Sequence, residues 1–237
     1  MNSCDIFIVT PSGERVPAYL ARSSLAVPRG AIVLLQEIFG VNSNIRSIAD
    51  DYAANGYDVV APDLFWRQEP GVMLDPADPR ARERATALMK GLDESLAIED
   101  AIAASQHVRT LTMPQSKVGV VGYCLGGKLA YLLATREEID AAVSYYGVGI
   151  HGALDQASTV KCPLLLHVAQ QDSLCAPQAQ QAIQEALGTN EHVTIVSHPG
   201  VGHAFARRGS ESHDAEAAAR ADGASAIFLC NALERAS

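Results

Sequence analysis

Cys124 lies in Gly122-Tyr-Cys-Leu-Gly126, a G-x-C-x-G pattern preceded by an apolar run and followed by a helical stretch. This is the composition of a sharp strand-to-helix elbow that lifts a nucleophile above a sheet. Gly122 and Gly126 leave room for the turn because they lack side chains. The thiol would sit at a helix N-terminus, whose dipole favours a thiolate, and the Leu125 N–H would be placed to donate to an oxyanion. Two further residues extend the chemistry. Asp172 follows the apolar run Leu164–Val168, and His203 follows His192–Ser197 in Pro199-Gly-Val-Gly-His203. A histidine base oriented by a carboxylate is what a thiol nucleophile needs. Each residue alone has a bland reading: a buried cysteine in a glycine-rich turn, a turn aspartate, a solvent-facing histidine. In the order nucleophile, acid, histidine, each after a strand, the joint reading is stronger than its parts. Asp63 also follows a strand but precedes the elbow, so it falls outside that order. His151, His167, His192, His198 and His213 have no comparable context.

The elements that must carry these residues follow from the apolar pattern. Asp5–Thr10 and Ala18–Leu20 flank a Pro-Ser-Gly turn and read as a hairpin. Ala31–Leu35, Tyr57–Ala61, Lys117–Val121, Ala141–Tyr146, Pro163–Val168 and His192–Ser197 read as strands, with Pro62 stopping the second. Helices are expected at Asn44–Asn55, with Gly56 at its end, at Arg80–Gln106 with a break near Gly91, and at Lys128–Thr135, Gln178–Leu187 and His213–Ala236. Phe65–Pro79 and Gly147–Gly152 read as loops. Strands alternating with helices imply an α/β class: a mostly parallel sheet with helices on both faces, in a single domain over residues 1–237. Ligands of such sheets bind at the carboxyl ends of the strands.

Composition narrows the function classes. The chain has 237 residues, 48% of them hydrophobic, which suits one large α/β domain. The net charge of −9 is the wrong sign for a nucleic-acid binder. It also repels anions at long range, so an anion site must be built locally from arginines. Runs such as Ala31–Leu35 are too short to span a membrane. The N-terminus has no basic region followed by a long apolar stretch, so no secretory signal is expected. The five cysteines, Cys4, Cys124, Cys162, Cys175 and Cys230, form no CxxC pair, which fits a reducing, cytoplasmic setting. Only Cys124 has a catalytic context, although Cys175 lies close to Asp172 in sequence. No metal is expected, because the histidines lack ligand spacing such as HExxH, and no cofactor is called for.

The segments Gln36-Glu-Ile-Phe-Gly-Val-Asn42, Ala61-Pro-Asp-Leu64, Val121-Gly-Tyr-Cys-Leu-Gly-Gly127, Tyr145-Tyr-Gly-Val-Gly149, Gln171-Asp172 and Gly202-His-Ala-Phe-Ala-Arg207 carry a resemblance. The chain resembles the dienelactone hydrolases (carboxymethylenebutenolidases), single-domain enzymes of the α/β-hydrolase fold. The resemblance runs over nearly the whole chain. It implies a triad of Cys124, Asp172 and His203, with oxyanion donors at the N–H groups of Ile38 and Leu125. It gives Glu37 the role of accepting the thiol proton when substrate binds; from position alone, a surface glutamate serves equally well. It implies two arginines for the substrate carboxylate: Arg207, and Arg82 with Arg80 as the competing choice. Tyr146 and Phe39 would line the pocket. The implied reaction opens a small anionic lactone to maleylacetate in aromatic or chloroaromatic degradation, by a cytoplasmic monomer with no nucleic-acid or membrane partner. Thr86 and Met89, where relatives can carry aromatic residues, and Trp66 leave the lactone preference open. Two rivals remain: a related hydrolase of another ester or lactone, and a non-catalytic binding protein of the same fold.

Overall fold

The computed structural model describes residues 2–113, 115–136 and 138–234. The strands are β1 (Asn2–Val9), β2 (Arg15–Arg22), β3 (Gly30–Leu35), β4 (Tyr57–Pro62), β5 (Val118–Tyr123), β6 (Ala141–Tyr145), β7 (Leu164–Ala169) and β8 (Val193–His198). The helices are α1 (Ser43–Ala54), α2 (Pro79–Lys90), α3 (Glu94–Thr112), α4 (Leu125–Ala134), α5 (Pro177–Leu187) and α6 (Ala215–Leu233). The sheet has eight strands in the order β1-β2-β4-β3-β5-β6-β7-β8. β1–β2 and β2–β4 pair antiparallel; β3–β4, β6–β7 and β7–β8 pair parallel. β3, β4, β5 and β6 are buried at every position, as expected for strands covered on both faces.

Two compact units divide the chain, one running through Gly119 and taking in Leu233 and Glu234, the other Val120–Ala232. In the first, α1 starts where the Asn42 side chain accepts from the Ile45 N–H at 3.2 Å, and it buries Ile45, Ile48, Ala49 and Ala53. It ends before Gly56, whose φ of +98° suits glycine; a Cβ there would lie 2.6 Å from Leu25 Cδ1. The turn after β3 is tied down from outside. Leu74 N–H donates to Phe39 O (2.9 Å), the Asn42 amide donates to Leu74 O (3.1 Å), and Gly40 (φ +78°) approaches Val72 O so closely that a Cβ would sit 1.9 Å from it. The loop after β4 is pinned by Asp100 of α3, which accepts from Trp66 Nε1 (2.9 Å) and Arg67 Nη1 (2.5 Å).

In the second unit, β5 leads directly into α4, and the Tyr131 hydroxyl of α4 donates to Ala153 O at 2.9 Å. Ile150–Thr159 forms a 3₁₀ segment kinked at Ala153, which the expected loop over 147–152 had not anticipated. The single long helix expected over 80–106 is two helices. Gly91 closes α2, and the Asp93 carboxylate caps α3 by accepting from Ser95 and Leu96 N–H groups. Pro62 is the last residue of β4 rather than the residue beyond it; its partner is Ala18 of β2. The expected end of the last helix at Ala236 lies outside the described residues. Among the described residues, no helix is long and apolar enough to cross a membrane.

Asp58 on β4 is fully buried and serves three elements. It pairs with Arg22 Nε (3.0 Å) and accepts from Ser23 N–H (3.0 Å) and Thr112 Oγ1 (3.1 Å). Asp58→Ala is expected to lower the unfolding free energy by about 3 kcal/mol, the loss of hydrogen bonds to a buried charge. Asp58→Asn should lose clearly less because it keeps an acceptor for Ser23. Urea denaturation of the two variants checks this.

Candidate active site

Cys124 occupies the junction of β5 and α4 with φ +56° and ψ −112°, a conformation that costs strain in any residue with a Cβ. The chain can make this turn because Gly122 passes against the backbone of Gly126: a Cβ on Gly122 would lie 1.9 Å from Gly126 O. Hydrogen bonds hold the residue on both sides. Its N–H donates to Tyr145 O (3.0 Å), and its carbonyl accepts from Lys128 N–H and Val148 N–H (each 3.2 Å). Leu125 is the first residue of α4, so its N–H has no acceptor within the helix. Cys124 thus combines a strained backbone with a place at the N-terminus of α4, next to the first N–H of that helix.

Asp172 is buried in the turn after β7. One carboxylate oxygen accepts from Leu174 N–H (2.8 Å), and the other lies 2.8 Å from His203 Nδ1. That bond fixes the proton on Nδ1 and leaves Nε2 for chemistry. Nε2 is itself buried and has no other well-aligned partner. Burial alone would lower the His203 pKa, but its hydrogen bond to Asp172, the neighbouring Cys124 and the Asp172 charge outweigh it, so the imidazole is pushed up to about 10. The Tyr146 ring meets His203 edge-on at 5.1 Å, and Tyr146 and Ala204 both hold positive φ beside the site. Arg207 follows on the same loop. It is only 6% exposed, and its N–H donates to Ala204 O (2.9 Å); a guanidinium this far from water needs anionic or polar company.

The remaining expected site residues belong to the other unit. Glu37 (1% exposed) and Phe39 (2%) are buried in the turn after β3, with Ile38 half-buried between them. Arg80 and Arg82 are both exposed on the first turn of α2, where Arg82 Nη2 donates to Pro76 O at 2.9 Å. All five cysteines are thiols, and burial, with the charge of Asp172, raises the pKa of Cys175. Two histidines set aside on sequence context are buried: His167 and His198, with His167 Nδ1 3.0 Å from His198 Nε2. Their signal was available, since each is a polar residue in a sheet strand, His167 amid the apolar run Leu164–Ala169.

The profile of the dienelactone hydrolase family matches residues 16–232. The chain belongs to the dienelactone hydrolase family. Membership makes it a carboxylic ester hydrolase. It is 40% identical to a carboxymethylenebutenolidase of Pseudomonas putida over 210 residues, covering 89% of each chain. It is 35% identical to carboxymethylenebutenolidase 1 of Cupriavidus pinatubonensis, covering 90% of this chain and 91% of that one. A crystal structure of a dienelactone hydrolase candidate from Klebsiella pneumoniae shares the fold, with a TM-score of 0.84 at 24% identity over 96% of this chain and 97% of that one. The mostly parallel α/β sheet read from the alternating pattern matches the α/β-hydrolase fold that the resemblance implied.

A pH dependence follows from His203. Its folded pKa of about 10 lies above the ordinary 6.5, so the folded state holds the proton more tightly. The stabilisation is complete below about pH 6.5 and is lost as the pH rises through about 10. Cys124→Ala removes two of the raising influences, so the His203 titration, followed by NMR, should move down in that variant. The decline of stability on the alkaline side should begin at lower pH.

Proposed function

We propose that the protein hydrolyses dienelactone to maleylacetate through a cysteine acyl-enzyme. The observation that carries this reading is the pairing of Asp172 with His203 Nδ1, together with Cys124 at a positive-φ elbow that raises the His203 pKa. The identity to carboxymethylenebutenolidases over 89% of the chain supplies the substrate class. The family profile spans both compact units, which supports reading residues 1–237 as one hydrolase domain.

In this scheme Arg207 and Arg82 hold the lactone carboxylate, while Tyr146 and Phe39 shape the pocket. Glu37 takes the proton of the Cys124 thiol once substrate is bound. The thiolate attacks the lactone carbonyl, and the oxyanion is met by the N–H groups of Ile38 and Leu125, each donor worth about 3 kcal/mol. The acyl carbon–ring oxygen bond breaks, and the ring oxygen leaves as an enolate, which needs little acid assistance. His203 then removes a proton from water, and the resulting hydroxide equivalent cleaves the thioester. The expelled thiolate recovers its proton from Glu37, the enolate takes the proton held by His203 and tautomerises to the keto acid, and the new carboxyl group ionises as the product leaves. No step calls for a metal or cofactor. The reaction belongs to aromatic or chloroaromatic degradation, and we place it in the cytoplasm, in a monomer that needs neither nucleic acid nor membrane.

One observation favours a second reading within the same chemistry. Arg82 is exposed and engaged by Pro76 O, and Thr86 and Met89 follow it on the helix. A related ester or lactone without a second anchoring carboxylate contact would fit these residues.

Alkylation of Cys124 by iodoacetamide should abolish turnover, whereas alkylation of the exposed Cys4 should not. Cys124→Ala that keeps full lactonase activity would sink the mechanism. Ultraviolet assays on cis- and trans-dienelactone, with and without chlorine, assign the substrate. Arg207→Met should raise KM for dienelactone by about tenfold or more, the cost of a lost charged hydrogen bond, yet leave hydrolysis of an uncharged p-nitrophenyl ester nearly unchanged. Equal effects on both substrates would remove Arg207 from carboxylate binding.

A further inference from the structure

Within the second unit a chain of buried side chains runs through the strands that carry the triad. The Tyr145 hydroxyl donates to Asp222 Oδ1 (2.9 Å) and lies 2.8 Å from Ser225 Oγ. Ser225 Oγ is 2.9 Å from His167 Nε2, and His167 Nδ1 is 3.0 Å from His198 Nε2. Tyr145, Ser225, His167 and His198 are all buried. The chain therefore joins α6, β6, β7 and β8.

Its direction of donation is determined from one end. The Asp222 carboxylate accepts the single hydrogen of Tyr145, so the Tyr145 oxygen accepts from Ser225. The Ser225 oxygen then accepts from His167 Nε2–H. His167 Nδ1 is left without a proton and accepts from His198 Nε2–H. One tautomer at each histidine satisfies every contact. Burial, and then the neighbouring His198, push the His167 pKa down to about 3, in keeping with a neutral ring here.

The same residues hold the catalytic loops through their backbones. Tyr145 O accepts from the N–H of Cys124 (3.0 Å), His167 O from Tyr146 N–H (2.9 Å), and His198 O from Gln170 N–H (3.0 Å). The next bond, Gln171 N–H to Val201 O at 2.9 Å, joins the two loops that present Asp172 and His203. Ring contacts follow the same course. Phe205 lies 4.8 Å from His198 and 5.5 Å from Tyr146, whose ring meets His203. Apolar side chains would bury these strands as well, but they would not select one orientation for each partner. A buried polar chain is costly unless every member is satisfied, and when it is, it admits one arrangement.

We infer that Tyr145, Ser225, His167 and His198 are positioning residues that set Cys124, Asp172 and His203 against one another through this chain and the carbonyls attached to it. The inference rests on the triad proposed above. None of the four is assigned a contact with substrate.

Ser225→Ala interrupts the chain, and His198→Leu removes its last donor. His198→Gln returns an amide N–H at similar reach. The first readout is the low-field Hδ1 proton of His203 in its bond to Asp172, followed by NMR without substrate. The second is kcat against KM on the lactone, with folding checked by circular dichroism. Ser225→Ala and His198→Leu should shift or lose the Hδ1 signal and lower kcat on the order of tenfold while KM stays within about twofold, as expected when catalytic groups are misplaced. His198→Gln should restore both. Folded Ser225→Ala with a native signal and native kcat overturns the inference, whether or not His198→Leu folds. Because the NMR readout needs no substrate, a wrong lactone assignment would leave it intact, so the two failures are distinguishable.

Discussion

The turn at Cys124 is the constraint around which the site is organised. A residue with a Cβ at φ +56° is strained, and it stays there because the surroundings leave no alternative. β5 is buried throughout and delivers the chain straight into α4, so the reversal must be completed at a single residue. Gly122 accepts the backbone of Gly126 at a distance no side chain would allow. Gly127 packs in the same manner, since a Cβ there would lie 2.8 Å from Gly147 Cα and Tyr145 O. The hydrogen bond from Cys124 N–H to Tyr145 O then couples the strained residue to the neighbouring strand. A loose loop could hold a cysteine too, but it could not keep the thiol at one height above a helix end.

From that turn the electrostatics follow. His203 is mostly removed from water, which by itself disfavours its charged form. The carboxylate of Asp172 at 2.8 Å and the neighbouring Cys124 reverse this, so the imidazole is tuned by two specific partners against its burial. Asp172 can do so because Leu174 N–H holds its second oxygen and keeps the carboxylate from rotating away. Orientation thus comes from the turn after β7, while the raised pKa draws on both that turn and the elbow at Cys124.

The second unit carries more buried polar structure than a sheet core requires. Histidine, serine and tyrosine side chains lie where aliphatic residues would pack without desolvation cost. Their compensation is mutual satisfaction along one chain, and their carbonyls are bound to Cys124, Tyr146 and Gln170. In the first unit buried charge has a different task. Asp58 ties the end of β2 to α3 through Arg22, Ser23 and Thr112, Asp100 of α3 holds Trp66 and Arg67 of the loop after β4, and the tie from Phe39 to Leu74 anchors the turn that contains Glu37 and Ile38.

Much of this was legible in the amino-acid order, because local chemistry determines it. Continuous apolar runs placed the buried strands, Gly56 marked the end of α1, and the glycine spacing around Cys124 announced the elbow, since no other residue tolerates that backbone approach. The order of Cys124, Asp172 and His203 followed from their places after strands. Other features depended on partners distant in sequence. The 3₁₀ segment is held by Tyr131 reaching Ala153, 22 residues away. The exposure of Arg82 is decided by how α2 packs, which residue type alone does not disclose. The pairing of His167 with His198 spans 31 residues, and that of His167 with Ser225 spans 58. Read singly, each is a histidine without context. Only the alignment of β7 and β8 beneath α6 brings their nitrogens within hydrogen-bonding distance, and local sequence holds no record of that distance.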